Sequence, residues 1–445
     1  MKTRELVIYR NFKYQKLFDE MERLLSEAGQ APEDGSGFSC ANQLIELAVT
    51  YGFNGNLYHC FLAFCLANHE NAYSTSCEIL GPAGGSLDVL ARHDFEIFKQ
   101  MFDYEIRNLD TDGQPGIWGI IADYKAAREN SRVFNKRIRD RIVELAVSLE
   151  QAQSVEEFQG EVTQFYKEFG VGKFGLNKAF RILEKDEQAY IDPITSIEHV
   201  YLKDLIGYEI QKKKLMDNTE AFIQGREANN VLLYGDAGTG KSSSVKAILN
   251  QYYDQGLRII EVYKHQFKAL SDVLEQVKDR NYKFIIYMDD LSFEESELEY
   301  KYLKAIIEGG LGKTPKNVLI YATSNRRHLI RESFYDKRQL SDDEIHANDT
   351  VQEKLSLVAR FGVTIYFGAP EPKEFKEIVK ALARRSGIDM PEEELLLKAN
   401  QWELSHGGLS GRTAAQFITY LLGQKTCCIT RGEERRYGST NICGN

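Results

Sequence analysis

A short apolar run leads directly into a glycine-rich loop and then into a helical pattern, and residues 231–242 read VLLYGDAGTGKS. Three glycines, Gly235, Gly238 and Gly240, allow backbone conformations that a side chain would forbid. The N–H groups of such a loop, together with the N-terminus of the helix that begins near Lys241, form a concave anion site. The segment therefore predicts a strand–loop–helix unit that binds phosphate groups.

The loop matches the pattern G-x-x-x-x-G-K-[ST], in which each residue type has its own role. The ammonium group of Lys241 is expected to reach the β- and γ-phosphates of a nucleotide, and the hydroxyl of Ser242 is expected to bind Mg²⁺. The predicted nucleotide-binding residues of the loop are Gly235, Asp236, Ala237, Gly238, Thr239, Gly240, Lys241, Ser242 and Ser243.

Two further strands end in polar residues. The apolar run Phe284–Met288 is followed by Asp289 and Asp290. Carboxylates beside a phosphate loop are costly without a cation, so we predict that Asp289 holds Mg²⁺ and that Asp290 orients or deprotonates an attacking water. Asn325 follows the next strand, where it could hydrogen-bond a γ-phosphate or that water, or could simply form a turn.

The spacing of apolar residues divides the chain, whose length suits two or three domains. Residues 1–190 are predicted to form a helical domain, 191–370 an α/β domain, 371–424 a helical lid and 425–445 a flexible tail. In the second region β-rich runs alternate with helical patterns, which predicts a parallel sheet with helices on both faces. The predicted strands are Val231–Tyr234, Arg258–Tyr263, Phe284–Met288, Val318–Thr323 and Val363–Phe367.

The composition narrows the class of protein. A net charge of −10 argues against a surface built throughout to hold nucleic acid. No apolar run approaches the ~18–20 residues that span a bilayer, and the first residues lack a secretory signal, so a cytoplasmic location is expected. Cys60 and Cys65 lie near two histidines, but residues five apart on a helix point about 140° from each other. Buried thiols are therefore expected rather than a metal site.

Two basic clusters could contact nucleic-acid phosphates, but in an acidic protein solvated helix faces are the favoured interpretation. They comprise Lys212, Lys213 and Lys214 in one segment, and Lys136, Arg137, Arg139 and Arg141 in the other.

Five motifs together resemble those of the AAA+ ATPases, over about residues 195–422. In order they are the glycine loop, the Asp-Asp strand, ATSN at 322–325, VARFG at 358–362 and GLSGR at 408–412. The resemblance implies an AAA+ P-loop sheet flanked by helices, with a helical lid. It also implies that Asn325 is the sensor 1 residue and that Arg412 is the sensor 2 residue, which binds the γ-phosphate.

The same resemblance suggests residues beyond the main motifs. Arg360 resembles the arginine finger that one subunit offers to the ATP of its neighbour, although a surface ion pair is the alternative. Arg331 and Arg338 compete for that role. The segment 205–208 resembles the one that lines the adenine pocket, so Ile206 and Gly207 are predicted to contact the nucleotide.

One feature departs from many AAA+ machines, which end the metal-binding strand in Asp-Glu. Asp-Asp is also used by initiators and helicase loaders of the DnaA and IstB-like type, so hydrolysis stays possible and is expected to be slow. The core also resembles a bacterial AAA+ family known only as a domain of unknown function.

The resemblance implies an Mg²⁺-dependent ATPase in which water attacks the γ-phosphate and the nucleotide state rearranges a bound partner. Because Arg360 would act on a neighbour, a homo-oligomeric ring or spiral is expected, and the N-terminal region would recognise an unknown protein partner. The alternative is an ATP-gated switch with slow turnover, which the short side chain of Asp290 favours. A link to DNA transactions is a third possibility.

Overall fold

The computed structural model of the protein describes residues 3–26, 36–82, 84–110, 116–126, 136–185, 188–195, 197, 200–293, 297, 299–308, 315–325 and 357–434, without the side chains of 136, 137 and 425–434. These residues fall into two compact units. The helical unit comprises Met1–Phe180, Asp192–Ser196 and Asp279–Asn281. The α/β unit comprises Arg181–Ile191, Ile197–Lys278 and Tyr282–Asn445. This division falls near Phe180, whereas the sequence suggests a domain boundary after residue 190.

The helical unit is built around one helix that is apolar on all sides. Its helices are α1 Gln15–Ser26, α2 Ser36–Tyr51, α3 Leu57–Asn68, α4 Ala72–Leu80, α5 Gly85–Phe102, α6 Ile117–Ala122, α7 Lys136–Gln151, α8 Val155–Phe169 and α9 Gly172–Leu176. Every residue of α3 from Leu57 to Ala67 is buried, as expected for a helix surrounded by others. The Asn56 side chain caps this helix by accepting the N–H groups of Tyr58 and His59.

Two strands lie where the sequence analysis predicts only helices. They are β1 Ala179–Lys185 and β2 Gln188–Pro193, and they occupy one edge of the sheet. In β2 only the alternate residues Ala189 and Ile191 are buried. Such a short alternation carries too few apolar residues to distinguish a strand from the end of a helical region.

The α/β unit contains the predicted parallel sheet. Its further elements are α10 Glu209–Ile223, β3 Val231–Gly235, α11 Lys241–Tyr252, β4 Leu257–Glu261, α12 Leu270–Val277, β5 Lys283–Met288, α13 Glu299–Glu308, β6 Val318–Ser324 and β7 Val363–Phe367. The strand order is β2-β1-β4-β5-β6-β3-β7, and the pairs β4–β5, β5–β6, β6–β3 and β3–β7 are parallel. The predicted α/β fold class and its five strands are confirmed.

This order places β3, which leads into the glycine loop, next to the edge strand β7. β3 lies between β6 and β7, with Leu232 opposite Ala322 on one side and Thr364 on the other. The carboxyl ends of β3, β5 and β6 therefore open at one edge of the sheet, where ligands of such folds bind.

Three helices form the lid at the end of the chain: α14 Pro372–Arg385, α15 Glu392–Ser405 and α16 Gly411–Glu434. Their core joins Phe375, Val379, Ala399 and Phe417, and Ile206 packs against it. The backbone of α16 remains helical through Glu434, into the segment that the sequence predicts to be a flexible tail. Within the described part of the chain, no helix has the length and apolar character needed to cross a bilayer.

Candidate functional site

The glycine loop packs directly against the end of β7. Gly235 closes β3 with φ 133°, and a Cβ atom there would lie 2.1 Å from the carbonyl oxygen of Phe367. Asp236 N–H donates to the same oxygen at 2.9 Å. Gly240, with φ 92°, then turns the chain into α11, whose first residue is Lys241. Only glycine fits at the first of these positions, so the close approach of the two strands fixes where the loop begins.

Lys241 lies at the centre of the loop and is 6% exposed. Its Nζ donates to the carbonyl oxygens of Gly235 at 3.0 Å and Asp236 at 2.7 Å, and to Asn325 Oδ1 at 2.9 Å. Burial lowers the pKa of Lys241, while nearby Asp236, Asp290 and Asp289 oppose that shift. The three atoms that accept hydrogen bonds from Lys241 Nζ are two backbone carbonyl oxygens and an amide oxygen, and all three are uncharged. The positive charge of the ammonium group can therefore still attract an anion in the loop.

Three hydroxyl groups converge on one oxygen of Asp289. Oδ1 accepts hydrogen bonds from Ser242 Oγ at 2.7 Å, from the Tyr287 hydroxyl at 2.7 Å and from Thr323 Oγ1 at 2.5 Å. Burial by itself would raise the pKa of Asp289, but the bonds from Thr323, Ser242 and Tyr287 favour the carboxylate, and the net shift is downward. Asp289 is therefore a carboxylate at neutral pH.

The pair Ser242 and Asp289 suits Mg²⁺ by its donor chemistry. Mg²⁺ prefers oxygen ligands and is usually held by one or two protein groups together with phosphates and waters. A hydroxyl and a charged carboxylate in direct contact provide that pair. Among the described residues, no cluster of three or more His, Cys, Asp or Glu side chains forms a fully protein-ligated metal site.

Asn325 links Lys241 to Asp290. While its Oδ1 accepts from Lys241, its Nδ2 donates to Asp290 Oδ1 at 2.7 Å. Asp290 has a left-handed backbone, φ 49°, and its N–H donates to Thr323 Oγ1 at 2.9 Å. The ends of β5 and β6 are thus joined by side-chain hydrogen bonds as well as by the backbone hydrogen bonds between the two strands.

A cleft of about 620 Å³ runs from this polar cluster to the lid. Its polar lining residues include Gly238, Thr239, Gly240, Lys241, Ser242, Ser243, Asp289, Asp290, Asn325 and Arg412. Its apolar and aromatic lining residues include Leu205, Ile206, Tyr208, Ile378, Leu382 and Ala415. Gly235, Asp236, Ala237 and Gly207 are not among the lining residues, and Gly207 forms a turn with φ 78° beside Ile206. A volume of this size is typical of small-molecule sites.

The two arginines that the resemblance singles out have different positions. Arg412 is the second residue of α16; its N–H donates to Gly238 O at 3.2 Å and its side chain lines the cleft. Arg360 is half-buried just before β7, and it is not part of the lining. Arg331 and Arg338 lie outside the described residues.

The basic clusters are partly engaged within the protein. Lys212 is 7% exposed, and its Nζ donates to Leu205 O and Glu209 Oε1, both at 2.7 Å. Lys214 donates to Thr364 O at 3.0 Å, whereas Lys213 is exposed. Arg139 pairs with Asp140 at 2.6 Å, and Arg141 lies over the Phe169 ring at 4.2 Å. The side chains of Lys136 and Arg137 lie outside the described part of the structure.

The cysteines that the structure describes are buried thiols. Cys40, Cys60, Cys65 and Cys77 are reduced and buried in the helical unit, which confirms the expectation for Cys60 and Cys65. Burial raises the pKa of Cys60 to about 12, so this thiol is not a ready nucleophile near neutral pH.

Tyr287 and Thr323 belong to the cluster around Asp289, and the sequence analysis treats both only as strand residues. Tyr287 precedes Asp289 by two positions, and alternate residues of a strand share a face. That spacing was available in the sequence. The contact of Thr323 was not, because it depends on the register between β5 and β6.

Comparisons with known proteins give distant relatives. The Replication factor C large subunit of Staphylothermus marinus is 33% identical over 73 residues, which cover 16% of this chain and 16% of that protein. The Thermotoga maritima RuvB Holliday junction branch migration motor aligns at 18% identity with a TM-score of 0.34, covering 51% of this chain and 66% of that one. The FIGL-1 AAA domain in complex with ADP aligns at 18% identity with a TM-score of 0.35, covering 50% and 73%.

One family model matches more than half of the chain, residues 176–425. This range runs from the end of α9 to the lid and includes every residue that lines the cleft. Residues of the glycine loop, the two aspartates, Asn325 and Arg412 line that cleft, whereas Arg360 does not. The expected match to a family without assigned function is confirmed. The chain belongs to the family described as "Protein of unknown function (DUF815)".

Proposed function

We propose that the protein binds ATP with Mg²⁺ in the cleft and hydrolyses it to ADP and phosphate. The observation that supports this most directly is the contact of Ser242 with Asp289 beside the ammonium group of Lys241. A phosphate-binding loop, a cation and a metal-binding pair at one strand edge are the parts that phosphoryl transfer to water requires.

The polar and the apolar lining residues of the cleft suit the two parts of a nucleotide. The triphosphate would lie on the loop, where the N–H groups at the start of α11 and the charges of Lys241 and Arg412 favour an anion. The base would lie against apolar lining residues such as Ile206 and Leu382, which pack on the lid core. We infer that Gly207 acts through the turn that presents Ile206.

Ser242 and Asp289 would hold Mg²⁺, which when bound neutralises charge on the phosphate oxygens. The donors around Asp289 hold its carboxylate in one orientation. Tyr287 and Thr323 are therefore positioning residues in this proposal, because they act through Asp289.

Hydrolysis would use Asp290 and Asn325. The water oxygen forms a bond to the γ-phosphorus, the bond to the β–γ bridging oxygen breaks, and ADP leaves with that electron pair. Asp290 orients the water and accepts its proton, and Asn325 holds Asp290. No covalent intermediate is needed, so positioning and charge supply most of the rate.

Nucleotide state would be coupled to the lid and to a second copy of the chain. Asp236 Oδ2 accepts the N–H of Ala369 at 2.7 Å, and Gly238 O accepts the N–H of Arg412. A change in the loop would therefore reach the segment before α14 and the start of α16. Arg360, which lies outside the cleft of its own chain, would serve the ATP of a neighbouring subunit in a ring or spiral. The helical unit would recognise the partner that is rearranged.

A slow ATP-gated switch is the second candidate, and the short side chain of Asp290 favours it. That side chain is one methylene shorter than the glutamate of many AAA+ proteins, so its reach is less.

The test is ATP hydrolysis by the purified chain over a series of protein concentrations. Lys241→Ala should abolish turnover, while Lys213→Ala, an exposed lysine outside the cleft, should leave it unchanged. Specific activity that rises with concentration would support an oligomeric ATPase, and tight ATP binding with negligible turnover would support the switch. The absence of both ATP binding and hydrolysis in the wild type would refute the proposal.

A further inference from the structure

A second cavity, of about 480 Å³, lies within the helical unit. The ends of three helices meet there: the first turn of α3, the last turn of α5 and the last turn of α7. Phe102, Val143 and Val147 give it apolar walls. The nucleotide cleft lies in the other unit, so this cavity needs a separate explanation.

His59 forms a buried polar surface of this cavity. The residue is 5% exposed, and neither of its ring nitrogens makes a hydrogen bond of normal geometry within the described residues, although the Phe102 backbone and Glu150 are close enough to favour its charged form. Nδ1 lies 3.5 Å from Glu150 Oε1, and the ring packs on Phe102 with centroids 4.9 Å apart. A buried polar group without a hydrogen bond is costly, which suggests that a bound group satisfies it.

Carboxylates outnumber cations around the cavity. Asp103, Glu105, Asp123 and Glu150 line it, and Arg107 is the one cationic residue among the lining residues in the described part of the chain. Arg107 contacts Glu105 at 3.4 Å and Asp123 at 2.5 Å, and Lys99 pairs with Asp103. Among the described residues, the side chain that lies within ion-pair distance of Glu150 is that of His59.

The Glu150 side chain is 52% exposed and also interacts electrostatically with Arg107, and His59 adds no positive charge beside it. Burial lowers the pKa of His59, although Glu150 and Glu105 oppose the shift, so the imidazole is neutral at pH 7. A neutral imidazole has one ring nitrogen that accepts a hydrogen bond. The cavity thus offers a carboxylate and an acceptor nitrogen next to apolar walls.

We propose that this cavity binds a protonated amine or guanidinium group carried on an apolar stem. The cation would lie against Glu150 and donate an N–H to His59, and its stem would pack along Phe102 and Val147. A free diamine or the basic side chain of a partner polypeptide presents this chemistry. The inference is independent of the proposed ATPase activity.

The test uses the full chain and three probes: agmatine, N-acetyl-argininamide and the uncharged N-acetyl-norleucinamide. Saturable binding, measured by calorimetry, is expected for agmatine and absent for the norleucine compound. Glu150→Gln should weaken binding about ten-fold, as expected for one hydrogen bond to a charged group. Glu144→Gln is the matched control, because Glu144 is exposed on the same helix but does not line the cavity.

A second readout follows His59 directly. In protein carrying ¹³C-labelled histidine, the His59 resonance, assigned with His59→Gln, should shift when agmatine binds. Binding of N-acetyl-argininamide as well as agmatine would assign the site to a polypeptide side chain, and binding of agmatine alone to a free amine. The proposal is overturned by no saturable binding of either, by equal binding of the norleucine compound, or by unchanged affinity in Glu150→Gln.

Discussion

Asn325 donates a hydrogen bond from its Nδ2 to Asp290 Oδ1 at 2.7 Å. The other atom of the same amide accepts from Lys241. One side chain thus fixes the distance between the cation of the glycine loop and the carboxylate proposed to handle water.

Asn325→Ala should separate binding from hydrolysis. Without the amide, Asp290 loses its orientation, while the loop and Lys241 still bind phosphate. We expect turnover to fall about 10²-fold, similar to the loss of one polar group in other active sites. ATP affinity, measured with a fluorescent analogue, should change less than three-fold, roughly the effect of one weak hydrogen bond. A parallel loss of affinity and turnover would contradict this role.

Substitution of Asp290 in both directions distinguishes a fast ATPase from a switch. Asp290→Asn removes the proton acceptor and should reduce turnover about 10²–10⁴-fold with ATP binding retained. Asp290→Glu restores the longer side chain, and it should raise turnover if reach limits the rate. Single-turnover kinetics would measure the chemical step. If Asp290→Asn were as active as the wild type, Asp290 could not be the base.

The proposed action of Arg360 on a neighbouring subunit predicts complementation. The Arg360→Ala chain has an intact glycine loop, and the Lys241→Ala chain has an intact Arg360. Where the two chains are neighbours in a mixed oligomer, the loop of the first and the arginine of the second can together form a complete site. ATPase activity of the mixture should exceed that of either variant alone. A mixture of Arg226→Ala, which changes an exposed arginine, with the wild type provides the baseline. Mixed assembly without any gain in activity would exclude Arg360 from this role.

Asp94 fastens the N-terminal segment of the helical unit. The carboxylate is fully buried and accepts the N–H groups of Val7, Ile8 and Tyr9 at 2.7–3.1 Å. Asp94→Asn replaces one acceptor with a donor, so the free energy of unfolding should fall by about 2 kcal/mol. Urea unfolding measures the change. The exposed Glu96→Gln on the same helix should have little effect, and equal stability of both variants would count against the role of Asp94.

The lowered pKa of His59 predicts a pH dependence of stability. The unfolded chain binds a proton near the ordinary pKa of 6.5, whereas the folded chain binds it only at lower pH. Stability therefore decreases as the pH falls from 7.5 through 6.5 toward the folded pKa. Glu150, the Phe102 backbone and Glu105 oppose the shift. Asp103, Asp123 and Arg107 are the other charged residues that line the cavity.

His59→Gln should show a smaller loss of stability than the wild type between pH 7.5 and 5.5, because the substituted residue does not titrate. Urea unfolding at both pH values measures the difference. His69, whose pKa burial also lowers, contributes equally to both proteins. An identical pH dependence of the two proteins would contradict the prediction.

The sequence was sufficient to predict features that depend on residues close to one another along the chain. Lys241 and Ser242 follow the loop glycines directly, and Asp289 ends an apolar strand, so their meeting at one sheet edge could be predicted. The contact of Thr323 with Asp289 depends on strand register, and the short strands β1 and β2 lack a distinct pattern. The hydrogen bond between Asp236 and Ala369 joins residues 133 positions apart, and no local sequence pattern predicts it.

The hydrogen bonds of the glycine loop to Ala369 and Arg412 set a lower limit on the size of a useful fragment. A chain cut after β7 would contain every residue of the loop and both aspartates. It would lack Ala369 and Arg412, which donate hydrogen bonds to the loop. Such a fragment should bind ATP poorly even if its sheet folds. The smallest piece of this protein able to hold a triphosphate has to extend into α16.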